Sequence, residues 1–331
     1  MSDNRPATAK QPAPGTNPVD DIVLPFRAET SGVMGRLIRF GPVVDTILAR
    51  HEYPEPVSLL LGEAIVLTAM LGATLKSDSR LILQTKTDGA VPFLVVNYEA
   101  SGRMRGYASF DKARIEGLPE NKFDLARDIV GSGHLAMTID PGVGMESYQG
   151  LVPIENESLT EAALTYFKQS EQLPTFIRLS VARHYCGVGR PEERGWHWRA
   201  GGIIIQHLSP DGGRPDATQD RIKGDGSGYD LDDGWERTRL LASTVEDHEL
   251  LDPTLRPDRL LYRLFHEEGV WAYPSKAVVV GCNCSRERLG RLLSQFSATE
   301  IEDLVEPSGL IAAKCEFCNT TYSFSPNEIG G

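Results

Sequence analysis

Five cysteines occur in 331 residues, and four of them fall in two close pairs. Cys282 and Cys284 sit one residue apart in VVVGCNCSRER (278–288), and Cys315 and Cys318 lie in KCEFCNTTYSF (314–324). The pattern is C-x-C, thirty residues, then C-x-x-C. Where thiols stay reduced, two such pairs bracketing a small unit are a metal signature before they are a disulfide framework. Soft thiolates in fours select zinc or an iron–sulfur centre. The clustered spacing of an iron–sulfur protein is missing, so one Zn2+ is expected on Cys282, Cys284, Cys315 and Cys318. Four thiolates leave zinc no open position, so the metal is expected to be non-catalytic and the protein not an enzyme.

Two readings of such a centre stay open on the residues alone: an inert staple and a redox switch. Residues two or three apart in a turn bring their Cα atoms near disulfide range, so each pair can close on itself once the metal leaves. Lys314, Arg286 and Arg288 flank the thiols and favour thiolates. Other chemistry is set aside. Cys186 lies outside the pattern and reads as a structural or incidental thiol. His266-Glu267 begins a zincin motif that Val270 breaks, and GDGSGYDLDDGWE lacks calcium-loop spacing. There is no Walker A sequence and no G-x-S-x-G elbow. Trp196-His197-Trp198 reads as a strand with its aromatic residues on one face.

The elements that must position the thiols are short. Ser285 caps a helix with Leu289, Leu292, Leu293 and Phe296 at helical spacing. Ser297 and Glu300 form a capping box ahead of Ile301, Leu304 and Val305, and LIAAKCEFCNTTYSF reads as a hairpin. Two short helices and a hairpin bury too little to persist without a staple. Upstream, strands cluster at 21–40 and 80–110, a helix covers 42–51, another covers 158–169, and strands return at TFIRLSVAR and GGIIIQHL. Clustered strands with helices set apart indicate an α+β fold. The apolar run 57–75 contains Glu63 and reads as a buried core helix rather than a membrane span.

Composition divides the chain. Residues 1–19 hold four prolines and no apolar h-region, and read as a disordered tail. Residues 20–207 form the main α+β domain. Residues 208–263 form an acidic linker, Gly/Asp-rich and then marginally helical, and 264–331 form the zinc unit. A net charge of −12 and a pI near 5.1 argue against nucleic acid and against an anionic membrane surface. A cytoplasmic location is expected.

LFHEE (264–268), CNCSRER (282–288) with its thirty-residue gap, and KCEFCNTTYSF together closely resemble the heat shock protein 33 family of redox-regulated chaperones, the 33 kDa chaperonins. HEYPEPVSLLLGEAIVLTAMLGATLK (51–76), RMRGYA (103–108), YFKQSEQLPT (166–175) and GGIIIQ (201–206) resemble the family's substrate-binding domain. The resemblance runs from about residue 20 to 329. It implies an ATP-independent holdase that is silent when reduced and zinc-bound. Oxidation would form two disulfides, expel zinc, unfold the linker and expose apolar surface to unfolding client proteins, commonly as a homodimer. The tail and the 210–234 insertion are longer than is usual for the family. Four sulfurs allow three disulfide connectivities, and crossed ones are within reach. A thirty-residue loop costs roughly 2 kcal/mol more to close than one of two or three residues, so Cys282–Cys284 and Cys315–Cys318 are expected. The competing classes are a zinc ribbon on nucleic acid, a static zinc protein, and a C-x-x-C oxidoreductase. The last would need a thioredoxin-like context, whereas Cys315 lies in a hairpin.

Overall fold

This computed structural model describes residues 20–76, 78–118, 125–142, 144–187, 194–207 and 228–329. The expected tail (1–19) and the first part of the linker (208–227) lie outside the described residues.

Strands β1 (Ile22–Ala28) and β2 (Val33–Phe40) pair antiparallel across a turn at Gly32, whose φ of 64° suits glycine. Both are buried almost throughout rather than alternately, because each face of their sheet is covered. Helix α1 (Pro42–Leu48) opens with proline at its start. The Asp21 carboxylate, just ahead of β1, accepts from the Gly41 and Val43 amides and so caps the helix. Helix α2 (Glu55–Gly72) is long and apolar enough to cross a membrane by composition, but most of it is buried at the centre of the main core.

Strands β3 (Arg80–Thr87), β4 (Phe93–Glu99) and β5 (Arg103–Ser109) form the expected meander. They are followed by α3 (Lys112–Glu116), which Asp111 caps. The sequence reading did not anticipate β6 (Ser132–Asp140) and β7 (Tyr148–Glu155), which extend this sheet on its β3 side. Helix α4 (Leu159–Tyr166) starts from a Ser158/Glu161 capping box. The long hairpin of β8 (Thr175–Cys186) and β9 (Gly195–His207) completes the other sheet, through β9 paired with β2. The main core, with α2 at its middle, draws on both sheets.

The second half of the linker is folded onto the outer face of the β1/β2/β9 layer. It comprises α5 (Gly228–Ser243), α6 (Asp247–Leu251) and α7 (Pro257–Phe265), whose last two residues run past the expected boundary at 263. Pro257 sits at the start of α7, where a missing amide costs nothing. Leu260, Leu261, Leu264 and Phe265 turn inward from α7 and pack with Ile22, Leu24, Phe26, Val33, Leu37, Ile203 and Ile205 in a second core. The rings of Phe265 and Phe26 stack at 5.4 Å.

Residues 270–280 then lace the two sheets together. β10 (Val270–Ala272) and β11 (Lys276–Ala277) pair with β1, and β12 (Val279–Val280) pairs parallel with β5. The remaining elements are α8 (Arg286–Leu293), α9 (Ala298–Asp303), the hairpin β13 (Ile311–Lys314) and β14 (Thr321–Phe324), and α10 (Pro326–Ile329). Ser285 caps α8, and Ser297/Glu300 form the expected box at α9. The apolar face expected on α8 is only half realised. Leu293 is buried and Leu289 packs beside it, but Leu292 and Phe296 are 53% and 44% exposed. The buried part of this core is Leu293, Ile301, Ile311, Phe324 and Ile329, too few residues to cover a whole helical stripe.

Candidate metal centre

The four paired thiols converge, as their spacing requires. Cys282 and Cys284 lie on the loop between β12 and the Ser285 cap, and Cys315 and Cys318 lie on the turn between β13 and β14. That turn is closed by the Asn319 amide donating to the Cys315 carbonyl at 2.8 Å and by the Cys315 amide donating to Thr320 at 2.9 Å. Asn319 has a φ of 62°, a left-handed conformation that asparagine tolerates.

All four Sγ atoms lie within 4.8 Å of one another, a group that could hold a metal ion. Two thiol–thiol contacts cross between the pairs: 3.7 Å from Cys282 to Cys315, and 3.2 Å from Cys284 to Cys318. Metal–sulfur bonds of about 2.3 Å in a tetrahedron put sulfurs about 3.8 Å apart, so this set fits a thiolate-bound metal. Cys315 is buried and the other three are half-buried.

The protein around the thiols treats them unequally. Burial pushes Cys284 and Cys315 up, against ionisation. Burial also acts on Cys318, but hydrogen bonding from Thr320 and from the neighbouring thiols outweighs it and brings that thiol down to about 7. The Tyr322 hydroxyl lies 3.5 Å from Cys284 and is itself held up, first by that contact and then by burial. A bound dication would reverse the burial penalty at every sulfur.

The sequence reading placed Lys314, Arg286 and Arg288 as the local positive charge. Arg286 instead stacks over Phe324 at 4.5 Å and pairs with Glu328 at 2.8 Å. The guanidinium that reaches a thiol comes from Arg105 on β5, which donates to Cys282 at 3.7 Å and lies 4.1 Å over the Phe317 ring. Arg50 donates to the Phe317 carbonyl at 3.1 Å, and Asn319 donates to the Arg50 carbonyl at 2.8 Å. Arg103 donates to Asn283, which in turn donates to Glu99 at 2.6 Å. The centre is thus seated on the main domain. The one available hint was R-M-R at 103–105, which places two arginines on one face of a strand.

The family model described as Hsp33 protein matches residues 21–325. The 33 kDa chaperonin of Caulobacter vibrioides (strain NA1000 / CB15N) is 40% identical over 315 residues, covering 95% of this chain and 98% of that one. The chain belongs to the Hsp33 family. A 33 kDa chaperonin from Pseudomonas syringae pv. syringae is 34% identical, with 93% and 92% covered. The crystal structure of the Hsp33 homolog of Thermotoga maritima superposes with a TM-score of 0.71 at 22% identity, covering 93% of this chain and 96% of that one, and shows the same fold. Membership of the Hsp33 family supports a chaperone function, and the cysteine cluster fits metal binding and redox regulation.

Elsewhere, Cys186 ends β8 opposite Gly195, and the metal-capable group comprises the other four thiols. Trp196 and Trp198 share a strand but not an environment: Trp196 is 64% exposed and Trp198 is 8% exposed.

Proposed function

We propose that this chain is a redox-regulated, ATP-independent holdase. Its reduced form holds one Zn2+ on Cys282, Cys284, Cys315 and Cys318 and is silent. Oxidation pairs Cys282 with Cys284 and Cys315 with Cys318, releases the zinc, loosens the linker and opens a surface for unfolding client proteins. The observation that carries this reading is the cover over the apolar outer face of β1, β2 and β9. Ile22, Leu24, Phe26, Ala28, Val33, Leu37, Ile203 and Ile205 are all buried there, packed with residues of α5, α6 and α7. Lifting that cover would expose a contiguous apolar patch of the kind that binds other chains.

The division of labour follows the chain: 20–207 binds clients, 208–263 is the cover, and 264–331 is the sensor. The lacing strands link them, since β12 leads directly into Cys282 while β10 follows directly on the α7 segment. When zinc supplies the folding energy of so small a unit, its loss melts the thiol loops and frees the lacing strands. The linker helices then lose their C-terminal anchor. When bound, zinc would serve here as a structural staple with no open site. The protein is taken to act in the cytoplasm, to dimerise when oxidised, and to use neither nucleic acid nor membrane, in line with its acidic charge.

Metal and thiol content before and after peroxide test this reading. One zinc and five free thiols should become no zinc and one free thiol, that of Cys186. Retention of zinc in a Cys315→Ser, Cys318→Ser variant would refute the ligand assignment.

A further inference from the structure

The face beneath the linker is not wholly apolar. Arg39 points outward from β2 into the second core and is 1% exposed. All of its hydrogen bonds go to linker carbonyls: Nε to Leu250 at 3.4 Å, Nη2 to Glu249 at 2.8 Å, and Nη1 to Leu255. Arg199, on the same face of β9, sends Nε to the Leu251 carbonyl at 2.5 Å and its other nitrogens to Asp20 at 2.5 and 3.1 Å. Between them, directly across from Arg39 in the ladder, is Gly201. A Cβ on Gly201 would lie 2.6 Å from the Leu250 carbonyl oxygen, so only glycine lets that carbonyl approach the sheet.

Glu249, Leu250 and Leu251 supply the last carbonyls of α6, a helix of five residues, and Leu255 lies beyond it in the turn before α7. A helix's final carbonyls have no partner within it and carry its negative end. A single turn and a half is also too short to stand alone. The sheet supplies the missing donors to α6 from outside, and Arg39 adds one to the turn that follows.

We propose that Arg39, Arg199 and Gly201 form a receptor for the carbonyl end of a helix, and that α6 occupies it as an intramolecular ligand. Occupancy of this receptor sets whether the linker covers the apolar face. An Arg39 left on that face without acceptors is costly unless water reaches it, so the latch is either fully closed or open. The consequence for chaperone activity rests on the function proposed above, but the latch itself is read without any client.

Hydrogen exchange on full-length, reduced, metal-loaded protein provides the test, comparing wild type with Gly201→Ala, Arg39→Met and Arg39→Lys. Gly201→Ala places a methyl group against the Leu250 carbonyl. Arg39→Met removes every donor but also a buried charge, so it should not weaken the sheet. The Leu250 and Asp252 amides, bonded within the linker to Glu246 and His248, should exchange at least about tenfold faster in both variants, as expected for loss of charged hydrogen bonds. Arg39→Lys should fall between, and the amides of β3 and β4 should keep wild-type rates. Unchanged or slower linker exchange in Arg39→Met would show that apolar contacts alone hold the linker, and would overturn the proposal. Acceleration spread equally to β3 and β4 in both variants would overturn it too. A loosened linker in a reduced variant that still fails to suppress client aggregation would support the latch and count against the client-surface reading.

Discussion

Phe265→Ala perturbs the cover at a fully buried contact at the end of α7. Phe265 is 0% exposed, and its ring stacks on Phe26 of β1 at 5.4 Å. Truncating a buried phenylalanine costs about 3–5 kcal/mol, and the lost ring pair accounts for about 0.5–1.5 kcal/mol of that kind of interaction. Phe265 lies at the end of α7, so the loss falls on the contact between linker and sheet rather than on the core around α2. At about 1.4 kcal/mol per tenfold, docking should weaken by roughly a hundredfold or more. Hydrogen exchange of α5–α7 in the reduced protein, with all thiols counted as free, measures this directly. The linker amides should speed up by that order while β3 and β4 keep their protection. Linker exchange within about threefold of wild type would refute the reasoning, because the cover would then be held by something other than this packing.

Arg105→Gln removes a charged donor to Cys282 and the cation over Phe317, contacts of about 1.5–3 and 0.5–2 kcal/mol. The thiol loops then sit more loosely on β5, and a chelator should strip metal from the loaded protein at least about tenfold faster. A rate within twofold of wild type would remove Arg105 from the account. Peptide mapping of the oxidised chain should find Cys282–Cys284 and Cys315–Cys318, although close sulfur contacts in the reduced state also cross between the pairs. A majority of crossed disulfides would contradict the loop-closure argument. Glu63, within α2, is pushed up to about 7 by burial, from an ordinary 4.5. The native state therefore holds its proton more tightly than the unfolded chain, and wild-type stability falls as pH rises from about 4.5 to about 7. Glu63→Gln should be more stable than wild type at pH 8, by at most about 3 kcal/mol, and the gain should vanish near pH 4.5. A difference that does not vary with pH in urea unfolding would show that Glu63 is not the cause.

The thiol cluster was legible because its spacing is local: each pair sits on one turn, and chain closure does the rest. The same holds for the capping box at Ser297, for the helical spacing at 158–169, and for α2, whose apolar run has no polar face to present to water. β6 and β7 were missed because they carry Gly133, Gly150 and Pro153, residues that argue against strands and are tolerated here by pairing to β3 and to each other. β10, β11 and β12 are two or three residues each, below any periodic signal, and exist only because β1 and β5 offer partners. Arg39 and Arg105 were invisible for a related reason. Their partners lie 211 and 177 residues away in sequence, so nothing near either arginine reveals its role. Leu292 and Phe296 show the opposite failure, since apolar residues at helical spacing still need a core large enough to receive them.

Light scattering of a thermally unfolding client, without nucleotide, tests the central claim most directly. Protein oxidised with peroxide, shown to have lost its zinc, should suppress aggregation at near-equimolar ratio. The same protein reduced and reloaded with zinc should not. Equal suppression by both forms would leave a chaperone without a switch, and no suppression by either would contradict the functional account as a whole.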